Sequence, residues 1–177
     1  DGSYQYSTIS GYHINHKYGF GAIDATAAVK LALKWKNENI SLGQMNIINS
    51  EWKIENKTIK NNNDIDKVTS NILIENTIKI EQLEIYVDLQ HSHVSDLNIL
   101  LKSPSGTISK LLTSSTQFNG GLPYNNLNEW SFTSVRHWGE ISNGLWTLEI
   151  RDQAGSINSL DGKFIKWKIN IFGENLL

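Results

Sequence analysis

Cysteine is absent from this chain of 177 residues. That excludes disulfide staples, thiolate zinc sites and cysteine nucleophiles together, and it leaves the redox compartment open. Long apolar runs are missing as well. None approaches the roughly 18 residues that a helical membrane span needs, so the chain reads as a soluble piece. Neither sign of charge dominates: 16 Lys and Arg against 18 Asp and Glu leave a net charge of −2. No electrostatic footprint for nucleic acid or for an anionic membrane surface is present. No basic-then-apolar leader opens the sequence, no solenoid or propeller repeat recurs, and no EF-hand spacing occurs. The remaining composition suffices for a core. Hydrophobic residues make up 39% and aromatics 10%, with only 19% charged, which excludes a disordered tail.

Two parts can be read. The first runs from Asp1 to about Asn39. After a polar opening, Asp24 can cap a helix whose small apolar residues, Ala25, Ala28, Val29, Ala32 and Leu33, recur at helical spacing as far as Trp35. One short amphipathic helix is marginal in water and makes no core alone, so this part reads as the tail end of a larger domain. From about Ile47 the period falls to two. Leu83, Ile85, Val87 and Leu89 alternate with Glu84, Tyr86 and Asp88, and Ile165, Trp167, Ile169 and Ile171 with Lys166, Lys168 and Asn170. Weaker strands are expected at Val68–Ile74, Leu97–Lys102, Ile108–Leu112, Glu129–Ser134 and Leu145–Ile150, separated by turns such as Ser103-Pro104-Ser105-Gly106 and Asp161-Gly162. Seven or eight short strands without intervening helices imply a mostly β fold, an antiparallel jelly-roll-like sandwich. The Asn- and Lys-rich stretch Glu38–Asp66 reads as a linker that gains one edge strand.

The groups that could carry chemistry are few. His91 and His93 share a strand face near Asp88 and Asp96, but a third nitrogen ligand for zinc is missing, and a polar strand end accounts for them. His13 and His16 precede a glycine-rich turn and read as packing or local hydrogen bonding. No sequence context marks a Ser/His/Asp triad. Asp88 and Asp96 flank one loop and Asp152 and Asp161 another. These four are the candidate calcium ligands, and structural carboxylates bonded to loop N–H groups would give the same pattern. Trp130, Trp138, Trp146 and Trp167 fall at strand positions, to fill the sandwich or cover its edge, with a sugar- or peptide-binding platform as the alternative. Trp35 and Trp52 are expected to join the helix to the sandwich. Asn39-Ile40-Ser41 and Asn56-Lys57-Thr58 are N-glycosylation sequons, with Asn39 and Asn56 as acceptors.

The segment Gly11-Tyr12-His13-Ile14-Asn15-His16-Lys17-Tyr18-Gly19-Phe20-Gly21-Ala22-Ile23-Asp24-Ala25 resembles the end of a subtilisin-like catalytic domain of the kexin/furin (proprotein convertase) type. The rest of the chain resembles that family's P (P/Homo B) domain. Its marks are Asp96-Leu97, Ser103-Pro104-Ser105-Gly106-Thr107, Leu111-Leu112, Trp130-Ser131-Phe132, Trp138-Gly139-Glu140, Gly144-Leu145-Trp146-Thr147-Leu148 and Gly162-Lys163-Phe164 with Trp167. Where the family often carries Arg-Gly-Asp-Leu, this chain has Val94-Ser95-Asp96-Leu97, so an integrin-type reading of that loop has no support.

The resemblance implies residues 1–39 as the end of the catalytic domain and 40–177 as the P domain. It further implies a calcium-dependent serine endoprotease that cuts secretory precursors after basic residues, in the secretory pathway or outside the cell. Calcium would be the parent's cofactor. The P domain's partner would be the catalytic domain of the same polypeptide, which it stabilises, with Tyr18, Phe20, Trp35 and Trp52 packing between the two. It would also modulate the calcium and pH dependence. The family's Gly-Thr-Ser-x-Ala-x-Pro serine segment is not found; Gly106-Thr107-Ile108-Ser109 breaks it at the third position, so by this reading no catalytic residue lies in the chain. The competing function is an independent β-sandwich that binds a carbohydrate or protein ligand.

Overall fold

The structure is a computed structural model that describes residues 5–6, 10–15, 18–39, 45–60, 66–114, 126–153 and 161–176, with residues 5 and 6 described by backbone alone. The strongest alternating segment forms β6 (Ile78–Gln90), and the second strongest forms β11 (Gly162–Asn175). Period-two alternation sends Leu83, Ile85, Val87 and Leu89 to one face of β6, where all four are buried, and Glu84, Tyr86 and Asp88 to the other. These two strands pair antiparallel and form the middle of a five-stranded sheet. β9 (Asn126–Ser134) flanks β6 on one side. On the other side β11 takes two successive partners, β3 (Asn46–Asn49) and β4 (Lys53–Ile59).

A second, four-stranded sheet runs in the order β5 (Val68–Ile74), β10 (Gly144–Asp152), β7 (Leu97–Lys102), β8 (Ile108–Leu112), all antiparallel. Ile99, Leu101, Trp146, Leu148 and Ile150 from this sheet meet Leu83, Ile85, Val87, Trp167, Ile169 and Ile171 from the first in one core. Each such side chain contributes roughly 1.5–3 kcal/mol when removed from water. The sandwich therefore holds itself together without disulfides. The expected antiparallel β-sandwich is what the chain forms.

The first part of the chain adds the two-residue strands β1 (Gln5–Tyr6) and β2 (His13–Ile14), which pair with each other, and α1 (Ala25–Asn37). Asp24 caps α1 as its position suggests, its carboxylate accepting from the Ala27 N–H at 2.9 Å. None of the helix's residues is buried.

The stretch expected to be a linker with one edge strand holds two, β3 and β4. Between them Ser50 crosses to β11: its N–H donates to the Ile169 carbonyl at 3.0 Å, and its hydroxyl accepts from the Ile169 N–H at 2.9 Å. The composition hides these strands for a physical reason. They form a sheet edge, where one flank faces water and Asn, Lys and Glu serve as well as β-branched residues. Only Ile59 in this pair of strands is fully buried.

Two carboxylates, one on β4 and one on β10, carry a pH signature. Burial alone would raise the pKa of Glu55, but bonds from Lys57 and Ser70 outweigh it and hold the group below its ordinary value. Glu149 is lowered in the same way, burial opposing and Lys67 and Arg151 prevailing. A depressed folded-state pKa contributes stability that is complete above the unfolded value and lost as pH falls through the folded one. The melting temperature is therefore expected to hold from about pH 7 to about pH 5 and to fall below about pH 4.5. In the double variant Glu55→Gln, Glu149→Gln the acid slope should be shallower; an unchanged slope would show that other carboxylates govern it.

Candidate functional site

The seam between the first part and the sandwich is built around one tight turn. Residues Val135–Glu140 leave β9 and return to the sheet, with the Trp138 N–H donating to the Val135 carbonyl and the Glu140 N–H to that of His137. Gly139 N–H donates to the Ile80 carbonyl at 2.7 Å, and the Ile80 N–H donates to the Glu140 carbonyl at 2.8 Å, so the turn is pinned to β6. Gly139 has φ 79°, a left-handed conformation that favours glycine, and an added Cβ would stand 2.8 Å from the Tyr12 ring. On the other side of the seam, Asn15 and Gly19 exchange two backbone hydrogen bonds of 2.8 Å, closing a small loop that delivers Phe20. Phe20 meets Trp138 edge-to-face at 6.0 Å and Tyr12 at 6.4 Å. The three rings line a shallow hollow of about 260 Å³ and stay roughly two-fifths exposed.

Two residues before Trp138 stands Arg136, buried, its guanidinium linking the two parts of the chain. Nη1–H donates to the Ile14 carbonyl at 3.1 Å and Nε–H to the Ile108 carbonyl at 3.3 Å. Burial lowers its pKa and the charge of Glu140 opposes that shift. An arginine stays protonated through such a shift, so Arg136 is a permanent cation here. Glu140 is fully buried and accepts from the Ser105 hydroxyl at 2.6 Å, and Ser105 in turn contacts Ser103 at 2.8 Å. The turn Ser103-Pro104-Ser105-Gly106 is thereby tied to the same carboxylate as the seam.

His137 is fully buried, edge-on to Trp146 at 5.2 Å. Its Nδ1 lies 3.5 Å from Glu140 Oε2, outside hydrogen-bonding range. Serine, glutamate and histidine thus gather in one place, yet the hydroxyl bonds to the carboxylate instead of the imidazole. A nucleophile needs its base within hydrogen-bond reach, and this arrangement does not provide one.

His91 forms the other buried pair. Its Nε2 lies 3.2 Å from Asp152 Oδ2 and its Nδ1 2.9 Å from the His93 carbonyl, with both side chains of the pair sealed from solvent. An alanine at Gly162 would put a Cβ 2.4 Å from the imidazole. The exposed His93 ring contacts the Ser92 hydroxyl at 3.2 Å. The two histidines that share a face by spacing are therefore separated: one clamps Asp152 and the other faces outward.

The four acidic candidates are distributed likewise. Asp152 has the His91 imidazole against its carboxylate. Asp96 ends a 3-10 turn, Val94–Asp96, and its carbonyl accepts from Gln153 N–H. Asp161 is exposed just before β11, and Asp88 lies on the outer sheet face, 3.9 Å from Lys166. Among the described residues no three carboxylates or imidazoles converge as a metal cage requires, and where a cation would balance Asp152 an imidazole already stands.

Of the packing candidates, Phe20 is in the seam. Tyr18 is half exposed beside it, and Trp35 lies on the exposed helix. Trp52 sits on the outer face of the five-stranded sheet, edge-on to Tyr86, with the Lys166 and Lys168 ammonium groups 4.2 and 5.0 Å from its ring centre. Trp146 and Trp167 fill the core as expected, whereas Trp130 and Trp138 are half exposed. Asn39 and Asn56 are both exposed, and His16 lies outside the described residues.

Residues 80–171, more than half of the chain, match the family model of the proprotein convertase P-domain. A "Dibasic-processing endoprotease" of Schizosaccharomyces pombe is 28% identical over 173 residues, covering 95% of this chain and 24% of that protein. "Endoprotease bli" of Onchocerca volvulus is 30% identical over 176 residues, covering 92% of this chain and 23% of that protein. The chain thus spans about a quarter of these relatives' length. The serine protease of Aeromonas sobria, solved in complex with its chaperone, superposes with a TM-score of 0.76 at 23% identity, covering 98% of this chain and 33% of that one.

Proposed function

This chain belongs to the proprotein convertase P-domain family, and we propose that it is the noncatalytic C-terminal part of a calcium-dependent, subtilisin-like serine endoprotease that cuts precursor proteins after basic residues in the secretory pathway. Residues 1–39 would end the catalytic domain and residues 40–177 would form the P domain that packs on it. The observation that carries this reading is α1. A helix of 13 residues with no buried residue keeps Val29, Leu31, Leu33 and Trp35 in solvent. A single amphipathic helix holds together in water only when its apolar face is covered.

The covering surface would be the rest of the catalytic domain. The half-exposed rings of Tyr12, Phe20 and Trp138 would extend the contact onto the sandwich. An association of this kind buries roughly 1,200–2,000 Å² in total. Calcium, on this reading, is the cofactor of the parent enzyme. The P domain would act through linkage, favouring the folded catalytic domain because it binds only that state.

The test is Leu33→Asp in the whole protease. The folded enzyme should keep its kcat while its melting temperature drops, because a charge would sit where an apolar contact is buried, at a cost of roughly 2–4 kcal/mol. Loss of kcat with an intact melting temperature would overturn the stabilising role. Unchanged values of both would show that α1 is not covered.

A further inference from the structure

We propose that Asn56 is an N-glycan acceptor, with the glycan standing over the open edge of β4. The sequon Asn56-Lys57-Thr58 has no proline at its centre, and all three residues are exposed. The backbone supplies a second observation. Asn56 has φ 51°, in the left-handed region that Asn tolerates better than most residues.

It lies at a register shift, where β4 pairs Lys57 with Phe164 and Ile54 with Lys166, so Glu55 and Asn56 together stand opposite Ile165. Such a bulge re-aims a side chain out of the ladder. Glu55 and Lys57 engage β5, through the Ser70 hydroxyl and the Thr69 carbonyl. The Asn56 amide has no partner among the described residues and is free to react. At the other sequon Asn39 is also exposed, but Ile40 and Ser41 lie outside the described residues, so the inference rests on Asn56 alone.

The chemistry is a glycosyl transfer from an oligosaccharide carried on a lipid pyrophosphate. Nδ2 of Asn56 bonds to C1 of the first sugar as the C1–O bond to the pyrophosphate breaks. Nδ2 gives up one proton, and the lipid pyrophosphate leaves with the bonding electrons. The site also has a physical use. Among the described residues β4 pairs with β11 on one flank and with no other strand, which leaves a seven-residue edge that could template pairing with another chain. A bulky hydrophilic glycan at its bulge would block that approach.

The proposal rests on the secretory-pathway reading above. Its test is glycopeptide mass spectrometry, before and after amidase removal of N-glycans, on the complete polypeptide taken from its native cells and on the same polypeptide secreted from yeast. A sugar-bearing Asn56 peptide in both samples, lost in Asn56→Gln and in Thr58→Ala but kept in Thr58→Ser, is the expected result. An unmodified Asn56 peptide in the yeast-secreted protein would overturn the site on its geometry. Modification in yeast with a bare peptide in native cells would overturn the native modification and place the failure in the secretory reading.

Discussion

Replacing Trp167 by alanine is expected to remove about 3–5 kcal/mol of folding stability. For a chain of this size that corresponds to a fall in melting temperature of roughly 10 °C. The indole is fully buried on β11, in the centre of the five-stranded sheet, and no backbone adjustment there can refill so large a void without disturbing two neighbouring strands. A second loss comes with the first. Trp167 Nε1–H donates to the Ser70 hydroxyl at 2.6 Å, and Ser70 donates to Glu55, again at 2.6 Å, so one chain of hydrogen bonds runs from the core of the five-stranded sheet to β5 of the other sheet and back to β4. Trp167→Phe retains most of the volume and should cost only about 1–2 kcal/mol, the share of the lost hydrogen bond and the small residual gap. Chemical denaturation of both variants checks this. If Trp167→Ala were within about 1 kcal/mol of the parent, the core as described would be wrong.

Arg136→Ala should rival that effect, about 3–5 kcal/mol, through electrostatics instead of volume. Its removal leaves the Ile14 and Ile108 carbonyls without their donor and takes the neighbouring positive charge from Glu140, a carboxylate with no exposure to water. Arg136→Lys keeps the charge but not the fork that reaches two carbonyls at once, so partial rescue is expected. The informative double variant is Arg136→Met with Glu140→Gln. Neutralising both partners should recover much of the loss, since the cost lies chiefly in the uncompensated buried charge. Limited proteolysis locates the damage: cleavage between residues 10 and 24 should quicken in Arg136→Ala before the sandwich itself melts. Equal protection of both regions would mean that Arg136 does not hold the seam.

The sandwich is legible in the sequence because its central strands alternate over many residues, as Leu83–Leu89 and Ile165–Ile171 do. The edge strands β5, β8 and β9 are legible too, whereas the edge made by β3 and β4 is only half so, one strand being expected where two form, since these are selected for solubility as much as for pairing. The helix and its Asp24 cap are legible, and its apolar stripe lies exposed. The seam is only half visible. Phe20 and Trp138 stand out within motifs, but Arg136 does not, because a lone arginine in a polar loop reads as a surface charge until the fold puts two carbonyls around it. Spacing gives His91 only half its surroundings: it brings out His93, whose backbone meets Nδ1, but not Asp152, the partner of Nε2, which is 61 residues away in sequence. Short-range pattern cannot reveal such pairings, and the strand order that creates them depends on which faces bury together.

That strand order also governs how the protein is made. β11 lies between β6 on one flank and β3 and β4 on the other, yet it is translated after all of them. While the ribosome is still adding residues beyond Gln90, β6 has no neighbour along the flank that Lys163–Asn175 will take. The five-stranded sheet can therefore close only once β11 has left the exit tunnel, and until then the nascent chain presents unpaired, apolar strands. Closure of this sheet thus requires an insertion into its middle, not an addition at its rim, and the exposed interval before it is when a nascent chain most needs a chaperone's cover.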